Sequence, residues 1–295
     1  MGKLVDNLLR HLKRDYKQLI GGVFAIFSIV ILLIVIFYLT PKEVQSSLIL
    51  ERNKPNLLTM WSNHFIHFDE THLWGNIKGF LISSTFLLIV LFFTKNIKLF
   101  YKLLILNLTI IPILLSLAWL FIFTKEGLRI AGFSGVIGSF LSSSILLYLF
   151  RVTNIFGIRL NIALSSSWVG CSFILILLLT YYPAYQIIYL SMFILGTFLF
   201  TLYTLKTIKI EDKRRKLRKQ KLSTHLLILS LLLAVPVLTL LLSAPLFPPL
   251  SVFKERPIGI GVHFIGIVAG LVVVCFIESG WSKHFQEIKE KCHKE

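Results

Sequence analysis

Ser134 is the residue of this sequence best placed to do covalent chemistry. It stands in Gly132-Phe133-Ser134-Gly135, where an apolar segment begins, and the flanking glycines let other backbone come close to its hydroxyl. Four such residues also make a tight turn followed by a small-residue packing face, so the motif says little by itself. A serine becomes a nucleophile only beside a base. His263 is the candidate base. Gly259, His263, Gly266 and Gly270 step by 4, 3 and 4, which puts them on one helix face. Glycines on that face allow another helix to approach closely. Gly135, Gly138 and Ser142 make a matching small face after Ser134. Packing the two faces together would bring imidazole and hydroxyl within the roughly 2.6–3.2 Å that activation needs.

His72 and Asn76 form a second polar pair, four residues apart on one helix face. Polar groups inside a bilayer are costly and mark functional sites by default. The plain alternative is that they glue helices together through hydrogen bonds.

A serine–histidine pair often has an acid that orients the base. Glu278 follows His263 by 15 residues, about 22 Å along a helix, and Asp69 and Glu70 precede the segment that carries His72. Asp69 and Glu70 could reach only if the outer loop folded inward, so a dyad is expected. Lys78 is a rival base, two residues past Asn76. His64, His67 and His72 invite a metal, but no H-E-x-x-H spacing is present and the nearby carboxylates do not complete a metalloprotease pattern. No metal and no cofactor are expected.

The elements that must hold these residues follow from composition. The chain of 295 residues is 56% hydrophobic and only 15% charged, against roughly a quarter charged in soluble domains. Its apolar residues come in runs of about 20, the length that crosses a bilayer. Eight runs are expected, at about 20–40, 72–93, 99–123, 133–150, 160–181, 185–205, 223–247 and 258–277. The chain thus reads as an all-α, polytopic transmembrane helix bundle. Residues 1–19 form a basic amphipathic segment, 20–278 the membrane domain and 279–295 a polar tail. In the first of these, Val5, Leu8, Leu9, Leu12 and Tyr16 make an apolar stripe among basic residues, suited to an anionic lipid surface.

The net charge of +17 might suggest nucleic acid, but 23 of the 31 Lys and Arg fall on one side of this eight-crossing topology. That is the positive-inside bias. It places both termini and the Lys206–Lys221 loop, with its nine basic and two acidic residues, in the cytoplasm. Nucleic acid is not an expected partner; membrane lipids are. Cys171 and Cys275 lie within apolar runs and Cys292 in the tail, with no disulfide or zinc spacing. In this topology His72, Asn76, Ser134 and His263 all lie a few residues below the outer face, a coincidence that none of the motifs requires.

Together, His67-Phe68-Asp69-Glu70-Thr71-His72-Leu73-Trp74-Gly75-Asn76, Gly132-Phe133-Ser134-Gly135, and His263 with Gly266 and Gly270 resemble the rhomboid family of intramembrane serine proteases. The resemblance covers the outer half of three helices. It implies a six-helix core with about two extra helices, a Ser134 nucleophile, a His263 base, and an oxyanion hole lined by His72 and Asn76, with His67 in a supporting, structural role. It implies cleavage of transmembrane protein substrates at a cell membrane, with the site near the outer face. The chain departs from the family pattern in having three segments, not one, between serine and histidine. Gly138 also stands where many members have an aromatic residue, and the Trp-Arg motif of the first outer loop is missing. An inactive relative that binds transmembrane clients is the alternative class. A transporter would predict internal repeats, and none is found.

Overall fold

The computed structural model describes residues 2–122, 129–155, 160–181, 187–188, 190–191, 194–196, 198–203, 206, 222–243 and 259–292. Residues 207–221 of the basic loop and the 244–258 connection lie outside them. The fold is all-α. Its elements are α1 (Gly2–Leu39), α2 (Lys42–Ser47), β1 (Leu50–Glu51), α3 (Leu57–Ser62) with a 3-10 turn at Asn63–Phe65, α4 (Glu70–Phe93), α5 (Ile97–Ile122), β2 (Arg129–Ile130), α6 (Ser134–Ile155), α7 (Ile162–Tyr181), α8 (Leu222–Ser243) and α9 (Gly259–Cys292).

Among the described residues, five stretches are long and apolar enough to cross a membrane: Tyr16–Leu39, Glu70–Phe93, Ile97–Ile122, Ser134–Asn154 and Val262–Gly280. Of the other three expected runs, 160–181 matches α7 and 223–247 overlaps α8, while 185–205 contains the apolar stretch Ile194–Tyr203. Two boundaries differ from the expected ones for clear reasons. The amphipathic segment and first crossing are one unbroken helix, and no proline interrupts them. Helix α4 starts ahead of His72 because Asp69, extended at φ −147°, accepts from the His72 N–H at 2.8 Å and caps it. Likewise α9 continues through Gly280 to Cys292, so the expected polar tail begins as helix.

The chain divides into two compact units, 1–140 with 258–266 and 141–257 with 267–295. In the first, α1, α4 and α5 pack on one another. Small residues let α1 approach: a Cβ on Gly22 would lie 2.7 Å from Leu88 Cδ1, and one on Gly21 would lie 2.8 Å from the Tyr101 hydroxyl.

The α3 segment docks on α5 through a defect in that helix. Pro112 lies inside α5 and has no N–H, so the carbonyl four residues earlier lacks its helical donor. That carbonyl is Leu108 O, and Trp61 Nε1 donates to it at 2.7 Å. His64 Nε2 donates to Pro112 O at 2.9 Å and also meets Ser116 Oγ at 3.1 Å. The Ser116 hydroxyl donates to Met60 O at 2.6 Å and accepts from Asn63 Nδ2 at 3.0 Å. Arg52 donates to Leu120 O further along α5. Beside this web, β1 pairs antiparallel with β2, Leu50 opposite Ile130. Leu50, Trp119, Ile130 and Val262 close a small core there, which anchors the first turns of α9.

The second unit joins α6, α7 and α9. Ser143 Oγ donates to Gly270 O at 3.2 Å, Ser166 Oγ meets Cys275 Sγ at 2.9 Å, and Arg151 pairs with Glu278 at 2.7 Å, both side chains nearly buried.

Ser116→Ala would remove the hydroxyl that bonds Met60 O, Asn63 Nδ2 and His64, each of which keeps another partner. It is expected to cost about 0.5–1.5 kcal/mol, read as a lower midpoint of unfolding in detergent.

Candidate active site

Gly132 sets the geometry ahead of Ser134. Its φ of +125° is open to glycine and strained for other residues. Its N–H donates to Asn63 O at 2.9 Å, which ties the turn to the 3-10 segment docked on α5. A Cβ at Gly132 would lie 2.5 Å from His72 Cε1, 2.7 Å from His72 Nε2 and 3.6 Å from Asn76 Nδ2. The turn before the serine therefore lies directly on the His72 ring, with the Asn76 amide alongside.

Ser134 is the first residue of α6 and is 8% exposed. Phe133 before it is fully buried, packing on Phe65 and Phe80 with ring centroids 5.6 and 5.4 Å away. Its carbonyl takes the Ile137 N–H at 3.1 Å, so Phe133 occupies the N-cap position. Phenylalanine has no side-chain acceptor, and the first N–H groups of α6 have no partner within the helix. They present partial positive charge beside the serine.

Beside Ser134, Gly135 meets α9 at Val262 and Gly266, the residues that flank His263 along that helix. A Cβ on Gly266 would lie 2.0 Å from the Gly135 carbonyl oxygen and 3.1 Å from Gly135 Cα; one on Gly135 would lie 2.7 Å from Val262 Cγ1 and 3.3 Å from Val262 O. Gly135 is thus bracketed by Val262 and Gly266. His263 is next to the first in sequence and one turn from the second, on the same side of α9, and is 7% exposed. In unliganded sites the hydrogen bond between nucleophile and base is often long and tightens only with substrate.

Asn76 and His67 form a pair that sequence reasoning did not foresee. Asn76 is 4% exposed and donates from Nδ2 to His67 Nε2 at 2.9 Å. The amide has a second N–H, which remains for a ligand. The His67 ring also meets His72 edge-on at 5.2 Å, so one buried histidine touches both oxyanion candidates. Burial holds its imidazole at about 3, with the neighbouring His72 adding to the effect; it is neutral at pH 7 and can accept.

The other residues weighed from sequence are engaged elsewhere. His64 turns to Pro112 and Ser116, His67 to Asn76, and His72 to the Gly132 turn. Asp69 caps α4, Glu70 takes the Tyr38 and Trp74 donors, and Glu278 pairs with Arg151. Lys78 is exposed on α4, whereas Asn76 is buried, so it points away from the serine turn. Gly270 meets Ser143 in the second unit. Asn63, His64, Pro112 and Ser116 were not singled out as supports of the site. Proline within an apolar helix was the one available signal, since it announces an unfilled carbonyl.

Compared with protein-family models, with curated proteins and with solved structures, the chain matches none.

Two predictions follow from the geometry. Gly266→Ala would force α6 and α9 apart, because the new methyl meets backbone that cannot rotate away. We expect a cost of about 1–3 kcal/mol in the same unfolding assay. The second concerns pH. Burial lowers His64 to about 4, partly offset by its backbone partners at Pro112 and Gly132. An unfolded histidine binds its proton near pH 6.5, so the unfolded chain gains protons first as pH falls. Stability is then full at pH 7 and declines from about 6.5 toward about 4. His64→Gln, which keeps a donor for Pro112 O, should give a shallower decline when unfolding is followed from pH 7 to pH 4.

Proposed function

We propose that the chain is an intramembrane serine endopeptidase of the rhomboid type, hydrolysing peptide bonds in or next to transmembrane segments of membrane-protein substrates. The observation that carries this reading is the convergence of three distant motifs on one turn: Gly132 lies on His72 beside Asn76, and Gly135 lies on Gly266 one turn from His263. The motifs come from different helices, and packing of small residues alone gives no reason for His72, Asn76 and the helix turn that carries His263 to border the same serine turn.

In the proposed reaction Ser134 Oγ attacks the substrate carbonyl while His263 accepts its proton. His263 returns that proton to the leaving amine as the peptide bond breaks, and a serine ester remains. Water then attacks the ester, losing a proton to His263 and freeing the new carboxylate and the serine. The negative oxygen formed in each half would be met by the free Asn76 N–H, by His72 and by the first N–H groups of α6. His67 positions Asn76 and contacts no substrate. Because a helix hides its carbonyls in its own hydrogen bonds, substrates with glycine or another small helix-weakening residue near the cut are favoured.

The same reading places eight crossings in a cell membrane, both termini in the cytoplasm and Ser134 near the outer face. Five apolar helices of full length support the membrane part of it. Cysteine labelling of residue 42 and of residue 283 from opposite sides tests the orientation.

A fluorophosphonate probe should label the wild-type protein at Ser134, and labelling should disappear in Ser134→Ala and His263→Ala. Cleavage of a single-span substrate in detergent should fall about 10²–10³-fold in Asn76→Ala. Cleavage that survives Ser134→Ala would overturn the proposal, and substrate retained but never cut by the wild type would favour a client-binding relative.

A further inference from the structure

We propose that the outward face of α1 and α4 is a binding site for one phospholipid whose headgroup carries a primary ammonium beyond its phosphate, a phosphoethanolamine lipid, with Glu70 holding the ammonium and Lys78 the phosphate. The site lies apart from the serine turn and does not depend on the reading of that turn.

Glu70 stands in the first turn of α4. Tyr38 at the end of α1 donates to its Oε1 at 2.7 Å, and Trp74 Nε1 donates to the same oxygen at 3.3 Å. Both donors take Oε1, which leaves Oε2 as an acceptor. Tyr38 and Trp74 are large aromatic side chains, 50% and 40% exposed. A carboxylate between exposed aromatic rings is the chemistry that receives an ammonium group, through charge and through the ring faces. Because Oε2 is a hydrogen-bond acceptor, an ammonium with N–H groups suits it better than a quaternary one.

Lys78 supplies the other half. Glu70, Trp74 and Lys78 are successive four-residue steps along α4 and are all exposed. Lys78 thus carries a charge on the outer surface of a 24-residue apolar helix, where an ammonium needs a counter-charge. Among the described residues it has no hydrogen bond or ion pair. Eight residues separate it from Glu70, about 12 Å along the helix, and its flexible stem lifts the ammonium back toward the interface. The acid is therefore at the membrane boundary and the base is deeper. A phosphoethanolamine lipid has the complementary order, ammonium outermost and phosphate beneath. This match holds whichever side of the membrane the start of α4 faces. An anionic lipid such as phosphatidylglycerol would give Lys78 its phosphate but bring no positive charge to Glu70.

The test is native mass spectrometry of the full chain released from micelles holding equal amounts of phosphatidylethanolamine, phosphatidylcholine and phosphatidylglycerol of one acyl composition. We expect the wild type to retain the ethanolamine lipid about tenfold over the other two. Glu70→Gln should bring it down to the choline lipid and leave the glycerol lipid unchanged, whereas Lys78→Leu should lower all three lipids, whose phosphates are alike. Replacing the ethanolamine lipid by its N,N-dimethyl form tests the N–H requirement without altering the protein, and retention should fall. Equal retention of the three lipids, any other wild-type ranking, an ethanolamine preference that survives Glu70→Gln, or retention unchanged by Lys78→Leu would overturn the proposal. Should a variant fail to fold, the wild-type ranking and the methylated lipid decide.

Discussion

Everything proposed for Ser134 depends on two backbones touching. Gly266 lies so close to α6 that a methyl on it would fall on the Gly135 carbonyl, and a methyl on Gly135 would meet the Val262 and Leu115 side chains. The separation of α6 and α9 at Gly266 is therefore set by backbone atoms, which have no rotamers. A polar constellation on flexible side chains would shift with each neighbour; one hung from a backbone contact has only its own torsions left to settle. The second contact of this type, Gly132 on the His72 ring, fixes the turn from the other side.

The surrounding structure meets the central difficulty of an apolar protein, that every buried polar group needs a partner it cannot take from water. Asn63 Nδ2, His64 Nε2, Ser116 Oγ, the Trp61 indole and the carbonyls of Met60, Leu108 and Pro112 are paired with one another, while Asn63 Oδ1 and His64 Nδ1 are buried without a hydrogen-bond partner among the described residues. Through the Gly132 N–H on Asn63 O this web continues to the residue before Phe133 and Ser134. The site is thereby supported from beneath by hydrogen bonds that were needed anyway to bury the α3 segment. Acids are treated in the same way: Asp69 on a helix end, Glu70 on two aromatic donors and Glu278 on Arg151 each have a local use.

Much of this was legible in the sequence because the relevant signals are periodic. Apolar runs of bilayer length gave the helices, and the 4-3-4 spacing around His263 gave a face that could meet the small residues after Ser134. Two of the later runs are likewise matched by α7, Ile162–Tyr181, and α8, Leu222–Ser243. What the sequence hid were interactions between residues with no spacing relation. His64 and Pro112 are 48 apart, Asn63 and Ser116 are 53 apart, and only the folded chain brings them together. His67 was legible as a buried histidine, but its hydrogen bond to Asn76 depends on how the chain turns between residues 65 and 70. Gly266 was chosen for being small; that its neighbour would be the carbonyl of Gly135 is a matter of register, which composition does not encode.

Pro112 shows how local and global optima part company in this fold. Proline within a helix is unfavourable by about 3 kcal/mol against alanine, and an alanine there would make α5 more regular. It would also restore an N–H that competes with the Trp61 indole for the Leu108 carbonyl. The better helix would be the poorer scaffold, because the loop that carries Asn63 and His64 would lose one of the sockets that holds it. The irregularity in α5 is in that sense a binding site of the chain for itself.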